Sequence, residues 1–213
     1  MRLVSVNVGR PGRKLLSGRE LDTAILKDQV EGPVAVGPLG VAGDQVADRE
    51  NHGGPDQAVY LYTVEDYAWW AKELGRRLDP GTFGENLTVS GLESAELAVG
   101  DRFRIGEVEL EVTAPRIPCG TFAARMGDAG WVKRFARAGR PGAYLRVLAT
   151  GTVAAGDEVS LEPAADRSVP LLDLVRLFYD RKASATDLER ALGARVAERA
   201  RADLERRLAQ TAT

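Results

Sequence analysis

One cysteine, Cys119, and one histidine, His52, are the side chains of this sequence best suited to nucleophilic, acid–base or metal chemistry. Cys119 follows Arg116-Ile-Pro, and His52 precedes Gly-Gly54, so both lie in segments punctuated by glycine or proline. A thiol at a turn between a strand and a helix can be exposed and ionised, whereas free cysteine is more often a small buried hydrophobe. Position alone favours neither interpretation of Cys119.

The surroundings of Cys119 show what an exposed thiol could do there. Residues 108–113 predict a strand, and residues 119–126 can form a helix. The thiol would then lie at a helix N-terminus with Arg116 close by, and both features lower a thiol pKa and favour thiolate. Thiolate is also the ligand that soft metals prefer. Cys119 is therefore a candidate nucleophile or metal ligand.

The segment around His52 is long, polar and rich in glycine. Residues 44–57 lead directly into an apolar stretch, residues 58–62. Long polar loops that are not evidently disordered tend to carry function. His52 is a candidate general acid, hydrogen-bond donor or ligand. The alternative is a histidine that fixes this loop by bonding backbone carbonyls.

A third candidate segment is Phe83-Gly-Glu85-Asn86-Leu-Thr-Val89. A turn of this kind that feeds a strand can present backbone N–H groups and an amide side chain to a heterocycle or a phosphate. Lys27 and Arg116 are candidate phosphate anchors. A zinc site is not expected because one cysteine and one histidine cannot supply the usual ligand set. The sequence contains no phosphate loop, dinucleotide fingerprint or Gly-x-Ser-x-Gly elbow.

The elements that must position these residues are mainly short strands. Two helices interrupt the strands, one opened by Thr63 and one over residues 131–138, and we expect a mainly β fold, a barrel or sandwich with helical insertions. Residues 163–213 predict three short helices in a small bundle, with residues 164–168 as a candidate linker. The predicted domains are therefore 1–162 and 163–213. The predicted strands are residues 3–8, 34–36, 58–62, 87–89, 103–105, 108–113, 144–148 and 159–161.

Composition limits the classes of partner. The chain has 213 residues, a formal net charge of −2 and a pI of about 5.6, which gives no broad electrostatic footprint for nucleic acid or membrane. One cysteine precludes an internal disulfide and fits a reducing compartment. The N-terminal residues do not form a signal peptide, and no apolar run is long enough to span a bilayer. These features predict a cytoplasmic protein.

The ordered set of segments resembles the MOSC domain, named for the C-terminal domain of molybdenum cofactor sulfurases. The resemblance implies a barrel-like β fold and a molybdenum–pterin cofactor (molybdopterin). It places Cys119 at the position that ligates molybdenum, His52 and Asn86 in the cofactor pocket, and Lys27 at a family lysine. Glu85 and Arg116 lie in the matching segments and are predicted to contact the cofactor. The segments are Ser5-Val-Asn-Val-Gly9, Gly43-Asp-Gln-Val-Ala-Asp48, His52-Gly-Gly54, Phe83-Gly-Glu-Asn-Leu-Thr-Val89, Val99-Gly-Asp101 and Arg116-Ile-Pro-Cys119.

Three functions are compatible with these residues. The resemblance implies a cytoplasmic, molybdenum-dependent reductase that detoxifies N-hydroxylated compounds such as purine analogues, with electrons from a separate flavin or iron–sulfur protein. A carrier of molybdopterin or of a persulfide, without turnover, would use the same cysteine. A cysteine hydrolase would pair Cys119 with His52, oriented by Asp44 or Asp48, and requires the first two within hydrogen-bond reach. Whether the protein is a homodimer stays open.

Overall fold

An eight-stranded sheet forms the centre of the computed structural model, which describes residues 1–48, 52–165 and 169–211. The strand order is β13-β9-β10-β11-β7-β8-β1-β4. A three-stranded sheet (β12-β5-β6) and a hairpin (β2-β3) lie beside it. The strands are β1 (Arg2–Val8), β2 (Gly12–Leu16), β3 (Arg19–Thr23), β4 (Asp28–Val30), β5 (Val34–Gly37), β6 (Gly40–Val41), β7 (Val59–Thr63), β8 (Leu87–Ser90), β9 (Arg102–Ile105), β10 (Val108–Pro115), β11 (Ala143–Ala149), β12 (Gly151–Val153) and β13 (Val159–Glu162).

Six α-helices accompany the strands in the part of the chain that the structure describes. None of these helices is long and apolar enough to cross a membrane. Asn51 and residues 166–168 of the candidate linker lie outside the described residues. The helices are α1 (Val64–Leu74), α2 (Gly120–Met126), α3 (Trp131–Ala138), α4 (Leu171–Tyr179), α5 (Ala185–Leu192) and α6 (Glu198–Thr211).

The large sheet is not closed into a barrel by continuous strand pairing, so the barrel-like fold that the family resemblance implies is not confirmed. β13 and β4 form its two edges. An isolated bridge between Arg2 and Glu158 brings β1 near the start of β13, with hydrogen bonds from the Leu3 N–H to the Asp157 carbonyl (2.9 Å) and from the Gly156 N–H to the Leu3 carbonyl (2.7 Å). No continuous ladder follows within the described residues. β4 pairs with residues 6–8, at the other end of β1.

A parallel pair of strands carries much of the site. β7 pairs with β8 in parallel, with Leu61 opposite Leu87, and α1 provides the crossover between them. The Thr63 hydroxyl accepts a hydrogen bond from the Asp66 N–H (3.2 Å) and caps α1, as its sequence predicts. The left-handed Gly75 ends the helix. This short unit brings the ends of both strands to the same edge of the sheet.

An aromatic cluster packs against the edge of the sheet formed by β7 and β8. It joins β7 and α1 to α2 and α3, and its members are Tyr60, Tyr62, Tyr67, Trp70, Leu78, Phe83, Phe122, Met126, Trp131 and Phe135. The rings of Tyr62 and Phe83 stack with centroids 4.4 Å apart. Tyr67 and Trp70 of α1 are therefore core residues, whereas Trp69 is partly buried. Cys119 and Tyr144 pack against the edge of this cluster.

The C-terminal helices bury their apolar faces in the same hydrophobic cluster as the large sheet. Leu171, Leu174, Leu188 and Leu204 belong to a cluster that also contains Leu110 and Val112 of β10. The three predicted helices are present, but a bundle with a core of its own is not confirmed. The division at residue 162 stays a prediction.

Asp101 and Asp157 each follow a glycine in the sequence and close a turn. The Asp101 carboxylate accepts hydrogen bonds from the N–H groups of Ala98 and Ala164, each at 2.8 Å. The Asp157 carboxylate accepts one from the Ala154 N–H, also at 2.8 Å. Each closes a turn in which a glycine adopts positive φ, Gly100 or Gly156.

Candidate functional site

A pocket at the edge formed by β7, β8 and β11 collects five of the six predicted site residues. The end of β3, the polar loop of residues 44–48 and 52–57, and the start of α2 complete its walls. The five residues are Lys27, His52, Asn86, Arg116 and Cys119, whereas Glu85 is not part of the lining. Residues distant in sequence are therefore brought to one site.

Cys119 lies at the turn between β10 and α2. Pro115 ends the strand, residues 116–118 are irregular, and Cys119 is the extended N-cap residue of the helix. Its side chain is half-buried and faces the pocket. The proline before it disfavours helical backbone at residue 117 and helps to end the turn. The alternative of a fully buried hydrophobe does not hold.

The pKa of the Cys119 thiol is lowered to about 7. Burial raises the pKa, but a hydrogen bond from the His52 side chain, another from the Phe122 N–H and the charge of Arg116 outweigh burial. Each of these favours the thiolate over the neutral thiol. A large fraction of the protein therefore carries a thiolate at neutral pH.

His52 reaches Cys119 from the polar loop. Its backbone N–H donates to the Asp48 carbonyl (3.0 Å), and Gly53 and Gly54 follow with φ of 74° and 89°. Positive φ at two successive residues suits glycine and turns the chain sharply after the histidine. The imidazole bonds the Cys119 sulfur. Cys119 and His52 therefore line the same pocket and interact there, which is compatible with the cysteine-hydrolase hypothesis.

Asp44 links three separate parts of the site. One oxygen accepts hydrogen bonds from Lys27 Nζ (2.5 Å) and from the Gly9 N–H (2.7 Å). The other oxygen accepts from Asn86 Nδ2 (2.8 Å). The side chains of Asp44 and Lys27 are only 10% and 8% exposed. Burial lowers the pKa of Lys27, while the Asp44 carboxylate beside it favours the charged amine.

Asn86 holds the strands behind the pocket. Its Oδ1 accepts from the Tyr60 N–H (3.1 Å), and its Nδ2 donates to the Asn7 carbonyl (3.3 Å) as well as to Asp44. Both amide hydrogens are therefore used within the protein, and one acceptor lone pair remains. This arrangement makes Asn86 a wall of the pocket that fixes Asp44.

Glu85 lies behind the pocket rather than in it. Its Oε1 accepts hydrogen bonds from the Gly81 N–H (2.6 Å), the Tyr67 hydroxyl (2.7 Å) and the Thr88 hydroxyl (2.8 Å). Burial raises the pKa of this carboxyl. These contacts give Glu85 a structural role in shaping the turn, and its predicted contact with a cofactor stays a prediction.

Arg116 is a buried cation at the inner end of the pocket. Its guanidinium lies over the rings of Phe122 (4.5 Å) and Tyr60 (4.9 Å), and Nη1 donates to the Tyr144 hydroxyl at 3.4 Å. Nε has no hydrogen-bond partner, and no carboxylate forms an ion pair with Arg116 among the described residues. Burial opposes this charge, and Tyr144, Tyr60 and Cys119, rather than a paired carboxylate, offset part of that cost. This geometry favours binding of an anion.

Tyr60 and Tyr144 are pocket residues that sequence reasoning did not assign to the site. The tyrosines fall in predicted strands, where an aromatic residue is ordinarily core. The sequence offered Asp44 as a residue that could orient His52, whereas in the structure its carboxylate pairs with Lys27 and Asn86. The interaction of Arg116 with both rings depends on pairing between β7 and β11.

The sequence and the fold are similar to those of known proteins. The family model described as "MOSC domain" matches residues 48–160. The protein YflK of Bacillus subtilis is 35% identical over 190 residues, which cover 89% of this chain and 86% of that protein. The crystal structure of YiiM from Geobacillus stearothermophilus superposes with a TM-score of 0.80 at 27% identity and covers 97% of this chain and 98% of that one.

A fungal relative is much longer. A protein of Gibberella moniliformis named "Reductase" is 35% identical over 186 residues, which cover 85% of this chain but 33% of that protein. The chain therefore spans about a third of the length of this relative.

The Cys119–His52 pair generates a test by alkylation. In protein without metal or pterin, the rate of iodoacetamide reaction should rise with a midpoint at a pH of about 7. Replacing His52 with alanine removes a donor to the thiolate, so the midpoint should move upward, toward about 8.5 for an ordinary thiol. Because Cys119 is the only cysteine, the reaction reports one site, and unfolded protein supplies the reference. An unchanged midpoint in His52→Ala would refute the proposed contact.

The Asp44 contacts predict a large loss of stability on substitution. Asp44→Ala leaves a buried amine, an amide and the Gly9 N–H without their acceptor, and we expect the free energy of unfolding in urea to fall by about 3–5 kcal/mol. Adding Lys27→Met should restore part of the loss because the unpaired charge is removed. Asp22→Ala, at an exposed position on the pocket rim, is the control and should change stability by less than about 0.5 kcal/mol.

Proposed function

Because the chain belongs to the MOSC domain family, we propose that it binds a molybdenum–pterin cofactor and reduces N-hydroxylated compounds. The observation that carries this proposal is the convergence of a thiol and an unpaired cation on one pocket. The Cys119 thiol has a pKa of about 7, and the Arg116 guanidinium is buried without a carboxylate partner among the described residues. The thiol is suited to ligate a soft metal, and the guanidinium is suited to bind an anion.

The residues of the pocket fit such a cofactor. One protein thiolate is enough to anchor the metal when the pterin supplies further sulfur ligands. Arg116, with its unused Nε, would hold an anionic group of the pterin, and Lys27 lies at the same wall beside Asp44. Tyr60 and Asn86 would form the rigid side of the pocket. The cofactor, when bound, supplies the two-electron chemistry.

The protein side chains would manage protons and orientation. Reduction of R–NHOH to R–NH₂ consumes two electrons and two protons and releases water. His52 lies beside Cys119 and can direct an N–H toward an oxygen bound in the pocket. We propose His52 as the donor of one of these protons, with the second taken from solvent.

The proposed reduction needs an electron donor outside the residues of this sequence. A single cysteine cannot ligate an iron–sulfur cluster, and the sequence has no dinucleotide fingerprint. The fungal relative named "Reductase" has length for further domains beyond the matched third. We propose that a separate flavin or iron–sulfur protein reduces this chain in the cytoplasm.

A carrier function is the second candidate, favoured by the same thiol. A cysteine with a pKa of about 7 is nucleophilic at neutral pH and could hold a persulfide. In that function the protein would deliver sulfur or molybdopterin once per binding event. Repeated turnover of an N-hydroxylated purine analogue with an artificial electron donor would exclude this function as the main one.

Metal and pterin content tests the proposed function. After expression in a host that makes the cofactor, we expect near-stoichiometric molybdenum and pterin in the wild type. Cys119→Ala should lose the molybdenum because its protein ligand is gone, and Arg116→Met should lower the pterin content because a buried cation is removed. Arg206→Ala, an exposed substitution on α6, is the matched control for arginine loss.

The contrary outcome is equally informative. Folded wild-type protein from the same host with neither molybdenum nor pterin would refute both cofactor hypotheses. The Cys119–His52 pair would then support the cysteine-hydrolase hypothesis, for which a stoichiometric adduct with an electrophile, dependent on His52, is the next measurement.

A further inference from the structure

The N-terminus of α6 contacts the loop that carries His52, although α6 lies at the end of the chain. We propose that α6 positions His52 beside Cys119 and that the Glu198 N–H and the Arg199 side chain are the positioning groups. Neither residue lines the pocket. The C-terminal helices would therefore act on the site through the loop, without touching a ligand.

The first contact is a cap on the N-terminus of α6, and a residue far away in sequence provides it. Asp56 Oδ2 accepts a hydrogen bond from the N–H of Glu198, the first residue of α6, at 2.8 Å. Asp56 belongs to the short 3₁₀ turn Pro55–Gln57, which begins three residues after His52. A carboxylate at a helix N-terminus is stabilised by the unpaired N–H groups and by the helix dipole. The turn is thereby fixed to the helix.

The second contact reaches the residue next to His52. Arg199 Nη1 donates to the Gly53 carbonyl (3.4 Å) and to Gln57 Oε1 (3.3 Å). One guanidinium thus bridges both ends of the segment that joins His52 to β7. Because Gly53 and Gly54 have no side chains to pack, contacts from another element are the means of fixing this segment.

Strand β10 holds the turn from the opposite side. The Thr113 hydroxyl donates to the Asp56 carbonyl (2.5 Å), and the Thr113 carbonyl accepts from the Ala197 N–H (3.1 Å), just before α6. Arg146 Nε pairs with the remaining Asp56 oxygen at 3.2 Å. The same strand leads to Cys119. Both members of the pair are therefore connected to β10: Cys119 through the chain, and the His52 segment through Thr113 and through α6.

The consequence for His52 follows from this arrangement. The loop before His52 has no regular secondary structure from residue 44 to residue 48, and Gly53 and Gly54 follow it with positive φ. With α6 in place, the imidazole stays within reach of the thiol. Without the α6 contacts we expect the loop to leave this position while the sheet and the cluster below stay folded.

The single histidine makes this testable by NMR in tag-free protein without metal or pterin. The His52 ring gives one Hε1–Cε1 signal, and Cys119→Ser defines its position when the thiol contact is lost. Glu198→Pro removes the backbone N–H at a helix position that tolerates proline, whereas Glu198→Ala keeps it. We expect Glu198→Pro and Arg199→Ala to move the signal at least halfway toward the Cys119→Ser position. Glu198→Ala should leave it at the wild-type position, and Arg199→Lys should move it less than Arg199→Ala.

Two results would overturn the inference. The first is a wild-type His52 signal in both Glu198→Pro and Arg199→Ala. The second is a displacement of the His52 signal in Glu198→Ala and in Arg206→Ala that equals the displacement in Glu198→Pro. Arg206 is an exposed residue of α6 that pairs with Asp203, so this result would mean that any change in the helix disturbs the site. Circular dichroism melts of each variant keep loss of fold separate from movement of the loop.

The role of the pair in reduction rests on the proposed function, but the NMR measurement does not. In protein loaded with cofactor, Glu198→Pro should lower kcat about tenfold with little change in KM, since His52 donates a proton and does not bind substrate. Absence of molybdenum in the wild type would refute the reductase and leave the NMR result standing. Normal molybdenum content with an unmoved signal would refute this inference alone.

Discussion

The carboxylate of Asp44 joins three parts of the chain that are far apart in sequence. It accepts hydrogen bonds from Lys27, from the Gly9 N–H and from Asn86, and Asn86 in turn bonds Tyr60 and Asn7. A buried carboxylate and a buried amine are each costly alone, so each holds the other in place. The polar loop, the β1 end and the parallel pair β7–β8 are thereby fixed around one charge pair. The pocket walls depend on it.

Lys27 pairs with the Asp44 carboxylate, whereas Arg116 has no carboxylate partner among the described residues. Two aromatic rings offset part of its burial, and its charge helps to lower the Cys119 pKa. The pocket thus combines the Cys119 thiol, which can ligate a soft metal, with the Arg116 guanidinium, which can bind an anion. A group that carries both a soft metal and an anionic substituent, as the proposed cofactor does, would satisfy both.

Helix α6 and the loop that carries His52 show how segments far apart in the chain meet at one site. Asp56 caps α6, and Arg199 of that helix donates a hydrogen bond to the Gly53 carbonyl. The leucines of the C-terminal helices lie in the same cluster as β10, so the helix cannot move independently of the strand that ends near Cys119. Packing therefore transmits the position of α6 to both sides of the thiol–imidazole pair.

The sequence by itself determined the locally encoded features: the strands with an apolar pattern, the Thr63 cap, and the choice of Cys119 and His52 as candidate reactive residues. It missed the hairpin β2–β3 because that hairpin buries almost no face and so shows no apolar alternation. It grouped Glu85 with Asn86, although neighbouring residues of a turn face different sides. Only the tertiary structure decided that Cys119 meets His52, that Arg116 lacks a carboxylate, and that the sheet stays open, because each depends on pairing between segments far apart in the chain.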